Sequence, residues 1–173
     1  VGKAMRSGRM EDYHLSSTGS LNPEIMRGTG FRVGGTSASA ACASGLSTLV
    51  LGATALMLGE ADVVVAVAYD PISEFAYAGF KSLRLVAEGP IRPFTEEREG
   101  MRLGEGGAAF VLERAESARA RGVKPIGVLA GWGLASDAHH LTQPDPSGVG
   151  AGSAIRAALQ TAEGGVVHPD VVF

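Results

Sequence analysis

Cys42 is the only cysteine in the chain. It stands in "SAACASGL", flanked by Ala40, Ala41, Ala43, Ser44 and Gly45, where a long apolar stretch begins. A lone thiol is most often a small core hydrophobe. Two features favour chemistry instead. A sulfur at a strand-to-helix junction meets unpaired N–H groups and the positive end of the helix dipole, which favour the thiolate, the form that attacks carbonyls. The small neighbours let a thioester and backbone donors approach closely, and the N–H of Cys42 is a candidate half of an oxyanion hole.

Other residues invite chemical readings and mostly resist them. His139 and His140 follow Asp137, but adjacent residues face opposite sides of a strand and seldom converge on one ion in a loop. No metal site is expected there, only hydrogen-bonded loop histidines. Glu105 in "LGEGG" reads as a turn residue paired with a cation or a backbone N–H. Arg92, Arg98 and Arg102 lie among Glu96, Glu97 and Glu99, which predicts a solvated, mutually neutralising loop. "GEGGAA" satisfies a G-x-G-x-x-A pattern, yet it leads into the strand-like "AFVLE" where a dinucleotide loop must open a helix. No cofactor is expected.

The elements that would position these residues follow from periodicity. Residues 44–58 are apolar all round, the signature of a buried helix, and Gly59 is its expected C-cap. "ADVVVAVA" predicts a strand buried on both faces. Residues 73–85 suit a helix, and "AEGPIRPFTEEREG" a long surface loop. "GGAAFVLE" predicts a strand, "RAESARARG" a helix ending at Gly122, "PIGVLAGWGLAS" another strand, and residues 152–162 a helix. The opening third reads as irregular surface structure. Helices alternating with buried strands imply a layered α/β fold in which helices cover a mixed sheet.

Composition narrows the function. The 173 residues are 45% hydrophobic and 19% charged, without the roughly 18 uninterrupted apolar residues of a membrane span. A formal charge of -3 provides no basic stripe, so nucleic acid is not an expected partner. A single cysteine favours a reducing compartment, and a cytoplasmic location is expected. "VGKAMRSGRMEDYH" has no apolar signal-peptide core. An initial Val and a terminal "PDVVF" that reads as the start of a strand suggest a piece of a longer chain.

Taken together, "SAACASGL" resembles the nucleophile elbow of β-ketoacyl-[acyl-carrier-protein] synthases, condensing enzymes of the thiolase superfamily, and of synthase II in particular. "GEADVVVAVAYD", "AGFKSLRLVA", "RPFTEEREGMRLGEGGAAFVLE" and "ASDAHHLTQPDPSG" resemble further blocks of that family, in order and at similar spacing. Thr95, where the family has Asp, and Met101, where Phe is common, depart from the pattern and leave fine specificity and loop packing open. The resemblance implies a thiolase-like layered fold with mixed sheets and helices between and outside them, incomplete here. Residues 1–173 would form one partial ketosynthase domain, the nucleophile half plus the start of the C-terminal half.

The resemblance also implies roles. Cys42 would accept an acyl chain, Thr142 would contact a pantetheine arm, and Asp137 would belong to a gating loop. The partners would be an acyl carrier protein with its phosphopantetheine arm, acyl and malonyl thioesters, and a second copy in a homodimer paired through the strand before the nucleophile. Carrier binding through the arginines of residues 92–102 is a further reading. The family's catalytic histidines, in H-G-T and T-G-H contexts, and its lysine are not found in these residues, so His139 and His140 are not expected to assist Cys42. Two alternatives remain: a non-catalytic chain-length-factor-like subunit, which usually lacks the nucleophile, and a coenzyme A thiolase.

Overall fold

A computed structural model describes residues 27–29, 35–140, 142–162 and 169–171. The chain divides into two compact units, residues 1–55 with 63–112, and residues 56–62 with 113–173. Most of the opening third lies outside the described residues, although residues 27–29 are helical.

In the first unit the dominant helix is α1 (Ser44–Met57), built from Leu, Ala and Met, which are good helix formers, interleaved with small residues. Its threonine hydroxyls are satisfied by its own carbonyls: Thr48 Oγ1 donates to Gly45 O at 2.8 Å and Thr54 Oγ1 to Val50 O at 2.8 Å. Two glycines, seven residues apart and therefore on one face, bring the helix onto the sheet. A Cβ on Gly45 would lie 3.2 Å from Ala68 Cβ, and one on Gly52 would lie 3.0 Å from both Leu112 Cδ1 and Val64 Cγ1.

Strand β1 (Val63–Asp70) pairs with β2 (Gly106–Glu113). Gly107 lies against Ala68 and Tyr69, while Leu112 and Val64 meet beneath Gly52, a register that runs the two strands antiparallel. Between them, α2 (Glu74–Ser82) is N-capped by Ser73, whose Oγ accepts from Ala76 N at 3.1 Å. The loop of residues 88–100 is then closed at its base, where Met101 N donates to Leu85 O at 2.9 Å and Ala87 N to Met101 O at 3.0 Å. Gly100 makes the closure fit: its φ is +130°, and a Cβ there would come within 2.7 Å of Leu85 O.

In the second unit, Arg114 leads into α3 (Ala115–Ala120) and donates to Leu56 O at 3.1 Å while pairing with Asp62 at 2.6 Å. The guanidinium thus serves a carbonyl at the end of α1, where intrahelical partners run out. After α3, Gly122 takes φ +71°, the expected left-handed stop. The last helix, α4 (Val149–Thr161), carries the extended residues 131–133 directly on its backbone. Gly131 meets Ala158 O and Gly133 meets Ala154 O, at positions where no side chain fits. Trp132 N donates to Thr161 Oγ1 at 3.0 Å, which fixes the register of this contact.

Several expectations are corrected. Residues 125–136 form no strand, because a strand is a ladder with a neighbour and no described segment pairs with this one. Ile126 is 98% exposed and Val128 78%. Nor does a strand precede Cys42 over residues 35–39. The all-apolar α1 is not buried all round, since Leu46 is 68% and Met57 73% exposed, and in β1 only Ala66 is buried. Both carry faces that the described residues do not cover. The final helix begins at Val149, three residues earlier than its apolar pattern suggested, because Gly148 at φ +67° forms the N-cap. Gly59, at φ +71°, ends α1 as expected.

Candidate active site

Cys42 occupies a tight turn immediately before α1, and its side chain is exposed. Ala41 is held at φ +48°, a left-handed conformation that costs a residue with a Cβ about 1–2 kcal/mol. Ala43 N donates to Ala40 O at 3.0 Å and Ser44 N to Ala41 O at 3.1 Å. The Ser44 hydroxyl clasps the same turn, accepting from Ala40 N at 2.8 Å and donating to Ala41 O at 2.7 Å. The first helical bond is Ser47 N to Ala43 O at 2.9 Å, so one residue, Ala43, stands between Cys42 and the helix. No described residue accepts from the Cys42 N–H. Cys42 therefore presents an accessible thiol at the helix entrance, the nucleophile that acyl transfer needs.

Ser44 is the residue whose role the sequence reading missed. In the sequence it is one of the small neighbours of the cysteine. Its signal was a hydroxyl at the first helical position, where serine commonly serves nearby backbone groups.

The second cluster lies in the loop before α4. Asp137 Oδ2 accepts from Asp145 N at 3.0 Å. His140 Nδ1 accepts from Thr142 N at 3.1 Å and from Gln143 N at 3.2 Å. Nδ1 thus serves as the acceptor for two successive backbone donors. His139 makes no hydrogen bond with any described residue, and both rings and Thr142 are exposed. Leu141 lies outside the described residues. Asp145 accepts from Ser147 N at 2.8 Å, and that bond holds its carboxyl below the usual range. The structure gathers Asp137, His140 and Thr142 into one loop of the second unit, while Cys42 belongs to the first.

The arginine loop is held differently from the expected charge pairing. Arg98 donates to Thr95 O at 2.8 Å and Arg102 to Gly89 O at 3.1 Å, with no ion pair to Glu96, Glu97 or Glu99. In a tight loop, carbonyls within reach compete with mobile exposed carboxylates, whose pairing contributes little. Thr95 joins the same network by donating to Arg92 O at 3.0 Å. Glu105 accepts from Ile72 N at 3.4 Å, the backbone partner expected of a turn acid. The glycines of "GEGGAA" open β2 and not a helix, which removes the dinucleotide reading. No helix among the described residues is long and apolar enough to cross a membrane.

Residues 27–118, more than half of the chain, match the family model of the N-terminal domain of β-ketoacyl synthases. The 3-oxoacyl-[acyl-carrier-protein] synthase 2 of Staphylococcus aureus is 35% identical over 139 residues, covering 77% of this chain and 34% of that protein. Among solved structures, the ishigamide ketosynthase/chain length factor superposes with a TM-score of 0.76 at 34% identity, over 84% of this chain and 36% of the other. A type II PKS acyl-carrier protein in complex with its ketosynthase bound to the hexaketide gives a TM-score of 0.79 at 25% identity, over 88% of this chain and 40% of the other. The chain belongs to the β-ketoacyl synthase family, and its fold is that of the thiolase-like ketosynthases. It spans about a third of the length of the curated relatives it matches.

Proposed function

We propose that this chain is the nucleophile-bearing part of a single β-ketoacyl-[acyl-carrier-protein] synthase domain that extends a chain in fatty-acid or polyketide synthesis. The observation that carries the reading is Cys42 itself, exposed in a strained turn before α1 in a member of this family. The Cys42 thiolate attacks an acyl thioester, the carrier's carbon–sulfur bond breaks, and the carrier leaves as a thiolate that takes a proton from solvent. Malonyl-carrier then loses CO₂, and the resulting carbanion attacks the acyl-enzyme carbonyl. The product is a 3-oxoacyl thioester, and Cys42 is released as thiolate. Dividing the condensation in this way lowers each barrier, and the Cys42 N–H contributes one donor to the oxyanion of each tetrahedral intermediate.

In the same reading Thr142 meets the pantetheine arm of an acyl carrier protein, Asp137 belongs to the gating loop, and the parent protein works as a cytoplasmic homodimer. The relatives whose names mention an acyl-carrier protein support this choice of partner. Decarboxylation needs donors for the developing enolate. The histidine contexts that supply them in the family do not occur in this sequence, so these 173 residues alone do not condense.

Incubating the intact parent chain with an acyl-carrier thioester tests the proposal by mass spectrometry. An acyl mass increment on the peptide containing Cys42, lost in Cys42→Ala, is expected. A chain-length-factor-like subunit would instead leave Cys42 unmodified and slow toward iodoacetamide, and a coenzyme A thiolase would prefer the coenzyme A thioester to the carrier thioester. Condensation by the 173 residues in isolation would refute the claim that essential groups lie elsewhere.

A further inference from the structure

The 137–145 loop is closed on itself by one carboxylate. Asp137 begins the loop and Asp145 ends it, and Asp145 N donates to Asp137 Oδ2 at 3.0 Å, joining the two ends. The other oxygen of that carboxylate lies against Gly150, the buried second residue of α4, in the space that a Cβ would fill. The far side of the loop is equally built. Asp145-Pro146-Ser147-Gly148 is a turn closed by Gly148 N to Asp145 O at 3.0 Å, with aspartate, proline and glycine at the positions that such turns favour. Asp145 Oδ1 accepts from Ser147 N at 2.8 Å, Ser147 Oγ from Val149 N at 3.4 Å, and Gly152 N donates to Gly148 O at 2.9 Å, which starts the helix. Asp137 therefore joins the loop to a rigid turn and to the first turn of a thirteen-residue helix.

We propose that Asp137 is the positioning residue of this loop, a clasp that ties the loop's two ends to each other and to α4, and that position 150 is glycine because the Asp137 carboxylate takes the place of its side chain. The inference rests on the reading above, in which Thr142 of this loop meets the pantetheine arm. It adds that Asp137 acts through the loop's geometry and does not touch substrate. Closing a short loop at its base lowers the entropy lost when the loop is ordered around a ligand.

The clasp is tested in the intact parent chain by hydrogen exchange at the Asp145 amide, which needs no activity. Asp137→Ala is expected to speed that exchange about tenfold or more, while Asp137→Asn, which keeps an acceptor, stays within about threefold of the native rate. Gly150→Ala is expected to speed it by about as much as Asp137→Ala, but to add nothing in the Asp137→Ala background, where the colliding carboxylate is gone. Unchanged exchange in Asp137→Ala, or an equal effect of Gly150→Ala in both backgrounds, overturns the clasp. The substrate reading is judged separately by kinetics. Asp137→Ala should raise KM for the carrier thioester about five- to tenfold with kcat within about twofold, and Asp137→Asn should restore it. Faster exchange with an unchanged KM would leave the clasp standing and sink the contact of Thr142 with the pantetheine arm.

Discussion

Among the described residues, the turn that carries Cys42 is held by groups of four, Ala40, Ala41, Ala43 and Ser44. Ala41 stores left-handed strain, and the Ser44 hydroxyl, bonded to both Ala40 N and Ala41 O, opposes its release. Ser44→Ala removes two bonds at a half-buried position, each of about 0.5–1.5 kcal/mol net. We expect a loss of about 1–2 kcal/mol in urea unfolding and slower alkylation of Cys42, because the thiol is no longer fixed ahead of α1. Equal labelling rates in the two proteins would show that the clasp does not set the nucleophile. Two left-handed glycines separate strain from collision. Gly122 has φ +71° and open space around it, so Gly122→Ala should cost only the conformational strain, about 1 kcal/mol. Gly100→Ala adds a contact of 2.7 Å with Leu85 O and should cost clearly more, about 2–4 kcal/mol. A smaller effect at Gly100 than at Gly122 would contradict the account of the 88–100 loop. Sequence alone could not separate His139 from His140, since adjacency gives both the same environment. Only the fold of the loop hands Thr142 N and Gln143 N to one of them.

At the scale of elements, what was legible is what is local. Gly59 after α1 and Gly122 after α3 are backbone signals that act within a few residues, and each stands where it was expected, whereas the helix expected over residues 73–85 is shorter, with Ser73 as its N-cap. The arginine loop misled because alternating charge sign says nothing about carbonyls that fold back within reach. One ion pair does join elements: Glu113 at the end of β2 and Arg121 after α3 meet at 2.5 Å and 3.2 Å, with the Glu113 side chain only 12% exposed. The hydrogen bond from Arg121 holds the Glu113 carboxyl below its ordinary value of 4.5 and raises the guanidinium. A carboxyl lowered in the folded state stabilises fully above its unfolded value, and that contribution is lost as the pH falls through the folded one. The gap in melting temperature between the native chain and Glu113→Gln should therefore be widest above about pH 5 and close progressively below about pH 4.5. A gap that stays constant from pH 7 to pH 3 would mean that the pair does not couple β2 to α3.

Across the whole molecule, the residues least legible from sequence are those whose state depends on distant neighbours. The pattern of residues 125–136 is that of a strand, and one side of it is satisfied, since Gly131 and Gly133 seat it on α4. Trp132 N and O bond the Thr161 hydroxyl, but no described strand pairs with the segment, and Ile126 and Val128 stand open. The same holds for α1, whose apolar circumference anticipated cover on every side, while Leu46, Leu51 and Met57 remain exposed. Sequence thus recorded a demand for burial that these residues do not meet among themselves. Exposed apolar surface of this kind drives association. We expect the 173 residues in isolation to bind a hydrophobic dye such as ANS strongly and to sediment as mixtures of species at micromolar concentration, and the intact parent chain to do neither. Replacing Leu46 and Ile126 together by polar residues should weaken dye binding by the isolated residues, because each side chain contributes apolar area that water otherwise meets at a cost of about 25 cal/mol per Å². Weak dye binding by the unaltered 173 residues would show that these faces are covered in solution by contacts within the chain itself, and the accessible Cys42 would then have to be explained on a closed surface.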